Sequence, residues 1–433
     1  MSAVERDRAG DRPGRRGWLG FQPNEWLLAC AILVVLVGAS VADVNHTYWM
    51  NPRLSALDIA RQTAFLGIFA LGAAVVIIAG GIDLSAGSMI AFSGTMCATF
   101  LVLLAPEVMR NPHELIDGKL VARPLGAAVI TLAVSGTILI GFLVGTLHTW
   151  LITAVGLPPF IATLATLVGL RSLSRAVCES VTQSVFQAKS TQIQIFDPTF
   201  RYLATSVWIP MLIFVVLAVA IGVLLRRTVV GRHLYALGGN EQAARLSGIH
   251  TSSVKWLAYS LGAVTSAVAG ILYIGDQSVA DPQTLGRGYE LNAIAAAVVG
   301  GCSLQGGIGT VSGTFLGALF LRCVIDGIAK IIKTGADIYE GQIVGVVVVI
   351  AVAFSQWRTA AGRGRQAFPG VMGGVAVVTL GLLAAVLAML MTEQIARFVP
   401  GAQSLDPRGT GVAFGLIVAI GLAGWKFAQE TRR

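Results

Sequence analysis

The chain has 433 residues, 55% of them hydrophobic and only 12% charged, with mean hydropathy +0.76 and a formal net charge of +9. Soluble globular domains carry roughly a quarter charged residues, so this composition excludes one and places the chain in a bilayer. Its Lys and Arg sit mainly in tails and loops beside apolar runs, as membrane topology requires, and nucleic acid is not expected as a partner.

Residues 1–24 carry Arg6, Arg8, Arg12, Arg15 and Arg16 among Gly and Pro and read as a disordered basic tail on the cytoplasmic side. A first span is expected at 26–44. Ser40, Val41 and Ala42 resemble a small-residue cleavage site, but the apolar stretch is somewhat long for a signal peptide, and the reading is a retained helix. After Asn51 and Pro52, residues 57–79 are long enough for a second span, at roughly 20 residues per crossing. That span stops at GGIDLSAGS, 80–88. Gly80 and Gly81 favour a break, and Asp83 beside hydrocarbon is expensive unless it faces protein or water. Asp83 or Ser85 is placed to cap the helix that resumes near Ser88. Broken helices survive in a bilayer only where the backbone lines a cavity or is buried by neighbours. A cap at the membrane boundary and a direct ligand contact are both open readings of Asp83.

The third span ends near Ala105, and the polar residues 106–124 face outward. A fourth span, 125–152, holds Gly141 and Gly145 at GxxxG spacing, which lets helix backbones approach closely. A turn at 156–160 leads to a fifth span, 160–177, with Arg171 and Arg175 expected to snorkel from its outer end. Residues 178–201, rich in Thr, Gln and Ser, read as an external loop, and a sixth span at 202–225 returns the chain to the inner side.

There the sequence becomes a polar island, GRHLYALGGNEQAARLSGI, at 231–249. With Arg226, Arg227, Arg232, Arg245 and Lys255 around it, the island is expected in the cytoplasm. Gly238 and Gly239 predict a break, Asn240 an N-cap, and Glu241 suits the positive end of the helix dipole. Ala243, Ala244, Leu246 and Ile249 then make a small apolar stripe that Gly248 is placed to end. So short a helix cannot fold alone, so it either docks in a partner's groove or lies on the bilayer surface.

A seventh span is expected at 256–274, followed by an outward loop at 275–288. Tyr289, Glu290, Leu291 and Asn292 open an eighth span that breaks at GGCSLQGG, 300–307. This break echoes the first, with Gly80/Gly300, Gly81/Gly301, Leu84/Leu304 and Gly87/Gly307 in equivalent places. Paired glycine-interrupted hydrophobic segments point to a central path. Gly309, Gly313 and Gly317 predict a small-residue seam for a neighbouring helix or a second subunit. On the ninth span Arg322 and Asp326 stand four apart and are expected to pair. A tenth span, 343–354, ends in Trp357, Arg358, Arg363 and Arg365, so both ends of a ten-span core lie inside. Apolar runs at 371–391 and 410–427, closed by Arg432 and Arg433, predict a hairpin of two more.

The fold class is therefore all-α: a polytopic membrane protein with a basic tail at 1–24, a transmembrane domain of about ten helices at 25–357, and a linker with a two-helix hairpin at 358–433. The five cysteines and five histidines are scattered without metal-ligand spacing, and no GxxxxGK[ST] phosphate loop occurs.

GGIDLSAGS, the island, and GYELNAIAAAVVGGCSLQGG at 288–307 together resemble, in order and spacing, the binding-protein-dependent ABC importer permeases of the branch serving ribose, xylose, arabinose and galactose. The similarity runs from about residue 57 to about residue 357. It implies a permease of the bacterial inner membrane that moves a monosaccharide by alternating access. Gly231, Arg232, Tyr235, Gly238, Gly239, Asn240, Glu241, Ala243, Ala244, Leu246, Gly248 and Ile249 would form the coupling loop, seated in a cleft of a separate cytoplasmic ABC ATPase. The implied path passes Gly80, Gly81, Asp83, Ser85, Asn292, Gly300, Gly301, Ser303 and Gln305, whose polar groups would touch sugar hydroxyls weakly. ATP is used by the ATPase, and this chain is expected to bind no cofactor and no metal. An extracytoplasmic sugar-binding protein, a second permease subunit as a homodimer partner, and the lipid bilayer complete the implied partners. Family members often carry Asp where this chain has Asn292, which weakens any charge-dependent role there. The competing class is an ion-coupled secondary carrier of a small polar solute, for which Asp83, Arg322 and Asp326 are the only candidate ion ligands. An enzyme would need convergent nucleophiles or metal ligands, and none is visible.

Overall fold

The computed structural model describes residues 23–43, 46–116, 119–331, 341, 345, 346, 349, 370–398 and 406–431. Among these, ten helices are long and apolar enough to cross a membrane. In chain order the elements begin with α1 (Pro23–Ala42), α2 (Thr47–Met50), α3 (Pro52–Ile78), α4 (Ala86–Leu104), α5 (Pro106–Arg110), β1 (His113–Ile116) and β2 (Lys119–Ala122). They continue with α6 (Ala127–Thr153), α7 (Pro159–Phe186), β3 (Ile193–Gln194), α8 (Pro198–Thr205), α9 (Trp208–Arg227), α10 (Val229–Gly239), α11 (Glu241–Leu246) and α12 (Thr251–Gln277). After β4 (Val279–Ala280) come α13 (Tyr289–Val299), α14 (Val311–Ile331), α15 (Gly370–Phe398) and α16 (Pro407–Thr431). Of the basic tail expected at 1–24, residues 1–22 lie outside the described residues and 23–24 begin α1; the tenth span also lies outside them apart from 345, 346 and 349.

The chain divides into two units, residues 1–36 with 51–324, and residues 37–50 with 325–433. The larger is built on α12, which packs against α3, α4 and α6. Small residues allow this. A Cβ on Gly145 would lie 2.5 Å from the Ser260 Cα, one on Gly141 2.8 Å from the Ala267 Cβ, and one on Gly94 2.7 Å from Ile274. Lipid tails are as apolar as leucine, so close backbone approach and van der Waals contact hold such helices together. Phe65, Phe69, Ile77, Met89, Leu101 and Tyr259 fill the interior. The outer faces of α6 and α9 present Leu132, Leu139, Leu212 and Val216. Helices apolar all round suit a hydrocarbon surround.

Several expectations are corrected. The fifth span extends to Phe186 and absorbs the first part of the predicted loop. Its polar residues are satisfied inside the helix, with Thr182 donating to the Cys178 carbonyl at 2.8 Å and Ser174 to the Leu170 carbonyl at 2.6 Å. Arg171 does not snorkel; it donates to the carbonyls of Pro282 (2.9 Å) and Leu285 (3.1 Å), while Arg175 pairs with Glu179 at 2.8 Å. Residues 106–124 hold a short helix and the antiparallel β1–β2 hairpin, with His113 opposite Ala122, and β3 pairs with β4. The Gly309–Gly313–Gly317 seam, by contrast, serves a neighbouring helix as expected: Gly313 lies on Gly300 and Gly317 on Ala296 at the end of α13, and Gly309 on Ile78 and Cys302. Arg322 donates to Gln62 at 3.0 Å.

In the smaller unit Asp326 is taken by Lys330 (2.9 Å) and the Tyr48 hydroxyl (2.5 Å), in place of the expected partner Arg322. An acid four residues before a lysine is the better-oriented helical pair. Helices α15 and α16 form the expected hairpin, antiparallel, with Gly381 against Ala419 and Gly415 against Ala385.

A candidate coupling site where two helix breaks meet

Each break begins with the same helix ending. In α3 the Gly81 N–H donates to the Val76 carbonyl at 2.9 Å, with Gly80 left-handed at φ +81°. In α13 the Cys302 N–H donates to the Ala297 carbonyl at 2.9 Å, with Gly301 at φ +96°. Both are Schellman-type ends, where glycine is favoured because it carries no Cβ. Gly80 therefore matches Gly301 in geometry. The sequence pairing of Gly80 with Gly300 is off by one residue, because identical dipeptides conceal which glycine carries the turn.

Beyond the caps the two breaks differ. In the first, Asp83 is buried, and its Oδ1 accepts from the Ser85 N–H at 2.8 Å and the Ser85 hydroxyl at 2.5 Å. Ser85 occupies the N-cap position of α4 but makes no cap with its own side chain, so Asp83 holds the turn. In the second, the chain folds on itself through Ser303 N–H to Ile308 carbonyl (3.0 Å), Gly306 N–H to Ser303 carbonyl (2.9 Å) and Gln305 N–H to Ser303 Oγ (3.3 Å).

The breaks touch one another. The Ile78 carbonyl, left without a helical partner at the end of α3, accepts from the Gly307 N–H at 2.9 Å. The island closes on the same spot. A Cβ on Gly238 would strike the Ile78 carbonyl oxygen and lie 2.5 Å from the Gly307 nitrogen, and one on Gly306 would lie 2.8 Å from the Gly80 Cα. Four glycines from three distant motifs thus share one backbone junction. Beside it, Tyr235 donates to the Gly309 carbonyl at 2.8 Å, and burial pushes its phenol above its ordinary value.

The island holds one helix more than predicted. Gly238 and Gly239 end α10 instead of breaking the chain before it, and Thr228 caps its start by accepting from the Gly231 N–H at 3.1 Å. The two ends of α11 fall where the sequence places them. Asn240 accepts from the Ala243 N–H at 2.9 Å, and Gly248 ends α11 at φ +84°. The apolar stripe splits: Ala244 is buried, whereas Leu246 is 84% exposed. Gly239, Arg232 and Ala243 also face outward, and Glu241 is held by Lys255 (2.7 Å) and Arg245 (3.4 Å).

Of the predicted path residues, Gly80 lies in the junction and Gly81 gives its space to the Tyr259 hydroxyl. Gly300 and Gly301 shape the second break, with Gly300 packed on Gly313. Asn292 is buried on α13 and Gln305 is exposed. Gly306, Ile78 and Glu25 also belong to this region, and no sequence motif marks them individually. Glu25, buried near the start of α1, accepts from Ser312 at 2.6 Å and Thr310 at 3.0 Å. An acid at the head of an apolar run was the available signal for it. Among the described residues, no three His, Cys, Asp or Glu converge as a metal site.

The chain matches the family described as "Branched-chain amino acid transport system / permease component" over residues 55–354. It is 32% identical to the ribose import permease protein RbsC of Escherichia coli (strain K12) over 344 residues, 79% of this chain and 95% of that one. Against RbsC of Bacillus subtilis (strain 168) the identity is 33%, covering 77% and 92%. Against the galactose/methyl galactoside import permease protein MglC of Salmonella typhimurium (strain LT2) it is 28%, covering 77% and 96%. No solved structure matches the chain.

Proposed function

Because the chain belongs to this ABC permease family, and is the non-catalytic transmembrane subunit of a carbohydrate-uptake transporter of the inner membrane, we propose that it imports a ribose-type monosaccharide by alternating access. The observation that carries this reading is the seat of Gly238 against both helix breaks. Arg226, Arg227, Arg232 and Arg245 put this end in the cytoplasm. The outward face of the island, with Gly239, Ala243 and Leu246, docks in a separate ABC ATPase. When ATP binding moves that subunit, the junction conveys the displacement to α3, α4, α13 and α14. Such a switch needs the two conformations to bind the ATPase differently.

The breaks, with Asp83, Ser85, Asn292, Ser303 and Gln305, form the inner mouth of the path. A second copy of the chain completes the permease. An extracytoplasmic binding protein supplies sugar selectivity and rests on the opposite face, where β1–β2, α8 and the β3–β4 pair lie. The transmembrane domain is 25–357, and the tail 1–24 and residues 358–433 are additions to it.

The test uses Gly239, around which a Cβ would meet no neighbour within 4 Å. A Gly239→Trp variant should insert and fold normally, lose copurification with the ATPase and lose sugar uptake in vesicles. Retained capture and uptake would remove the island from the coupling role. Uptake that persists without any ATPase would replace the reading with an ion-coupled carrier.

A further inference from the structure

A groove of about 740 Å³ runs along the larger unit between α3, α9 and α14. Its walls are apolar, with Ala60, Phe214, Val219, Gly222 and Phe315 among them, and Arg226 and Arg227 stand at one end. Both arginines are exposed. Arg226 reaches the Ser312 hydroxyl at 3.4 Å, the hydroxyl that also donates to the buried Glu25 carboxylate at 2.6 Å, and among the described residues no carboxylate lies within direct ion-pair distance of either guanidinium. Helix α10 begins two residues further on, so the positive end of its dipole adds to the same field. From Arg227 back to Phe214 along α9 is 13 residues, about 20 Å at 1.5 Å each, about the depth of one leaflet with its headgroups.

We propose that this groove binds one anionic phospholipid of the cytoplasmic leaflet, its phosphate held by Arg226 and Arg227 and an acyl chain lying along α9. Charge selects this occupant. Another apolar helix would fill the walls but leave two cations facing it, whereas a phosphate at the membrane surface satisfies both. The proposal needs only the membrane placement of the chain and is independent of what it transports.

The detergent-purified full chain, stripped of lipid, would be titrated with phosphatidylglycerol or phosphatidylcholine and observed by native mass spectrometry. Wild type should bind one phosphatidylglycerol per chain roughly tenfold more tightly than phosphatidylcholine, and Arg226→Gln with Arg227→Gln should erase that preference. Gly222→Trp, at a position open to the groove, should abolish binding with both arginines intact. Equal affinity for the two lipids would overturn the proposal. So would wild-type binding by either variant, or a groove closed to lipid by a second copy or by the chain's own residues.

Discussion

At Gly238 the atom a methyl group would strike is a backbone carbonyl oxygen, which cannot swing aside as a flexible side chain would. Gly238→Ala should therefore cost about 1–3 kcal/mol, the usual range for overpacking, and lower the unfolding temperature in detergent. Gly239→Ala, one residue on, should change it little. Asp83 separates two roles. Asp83→Ala removes the acceptor for the Ser85 N–H and hydroxyl and should cost about 1–2 kcal/mol, as lost caps do. Asp83→Asn keeps an oxygen there and should recover most of that stability. If the Asn variant folds normally yet fails to transport in vesicles, the carboxylate charge itself is used. Tyr235→Phe leaves the Gly309 carbonyl without its donor, and a loss of about 1 kcal/mol is expected in the same melts.

Among the elements, α6 and α12 are held together by the absence of side chains at Gly141 and Gly145. Gly145→Leu should force the two helices apart and abolish folded protein on size exclusion, because Ser260 Cα and the Tyr259 carbonyl have nowhere to go. Gly169→Leu in α7, where a Cβ meets nothing within 4 Å, is the matching control and should be tolerated. The elements best foretold from sequence were the long apolar helices, since a bilayer demands a length and hydropathy that can be counted. Those missed were short or polar: the last third of α7, helix α10 and the four-residue strands of β1–β2. Polar residues in α7 are satisfied by carbonyls one turn back, a local solution that composition disguises as a loop.

For the whole molecule, family similarity ends at residue 354, while the α15–α16 hairpin closes on its own glycine seam. A chain truncated after residue 369 is thus expected to retain ATPase capture and sugar uptake when reconstituted with its partners. Loss of assembly in pull-downs would instead give the hairpin a role in the transporter.

Sequence alone determined that the chain spans a membrane, that three glycine-marked motifs carry its family, and that Asn240 and Gly248 bound a short helix on the island. These follow from local chemistry: hydropathy, cap geometry and the left-handed freedom of glycine. Only the tertiary structure decided that the motifs converge, with Gly80, Gly238, Gly306 and Gly307 back to back, and that the glycine repeat after the second break is spent inside the chain. Contact between backbones more than 60 residues apart depends on how helices cross, and no local pattern records the crossing.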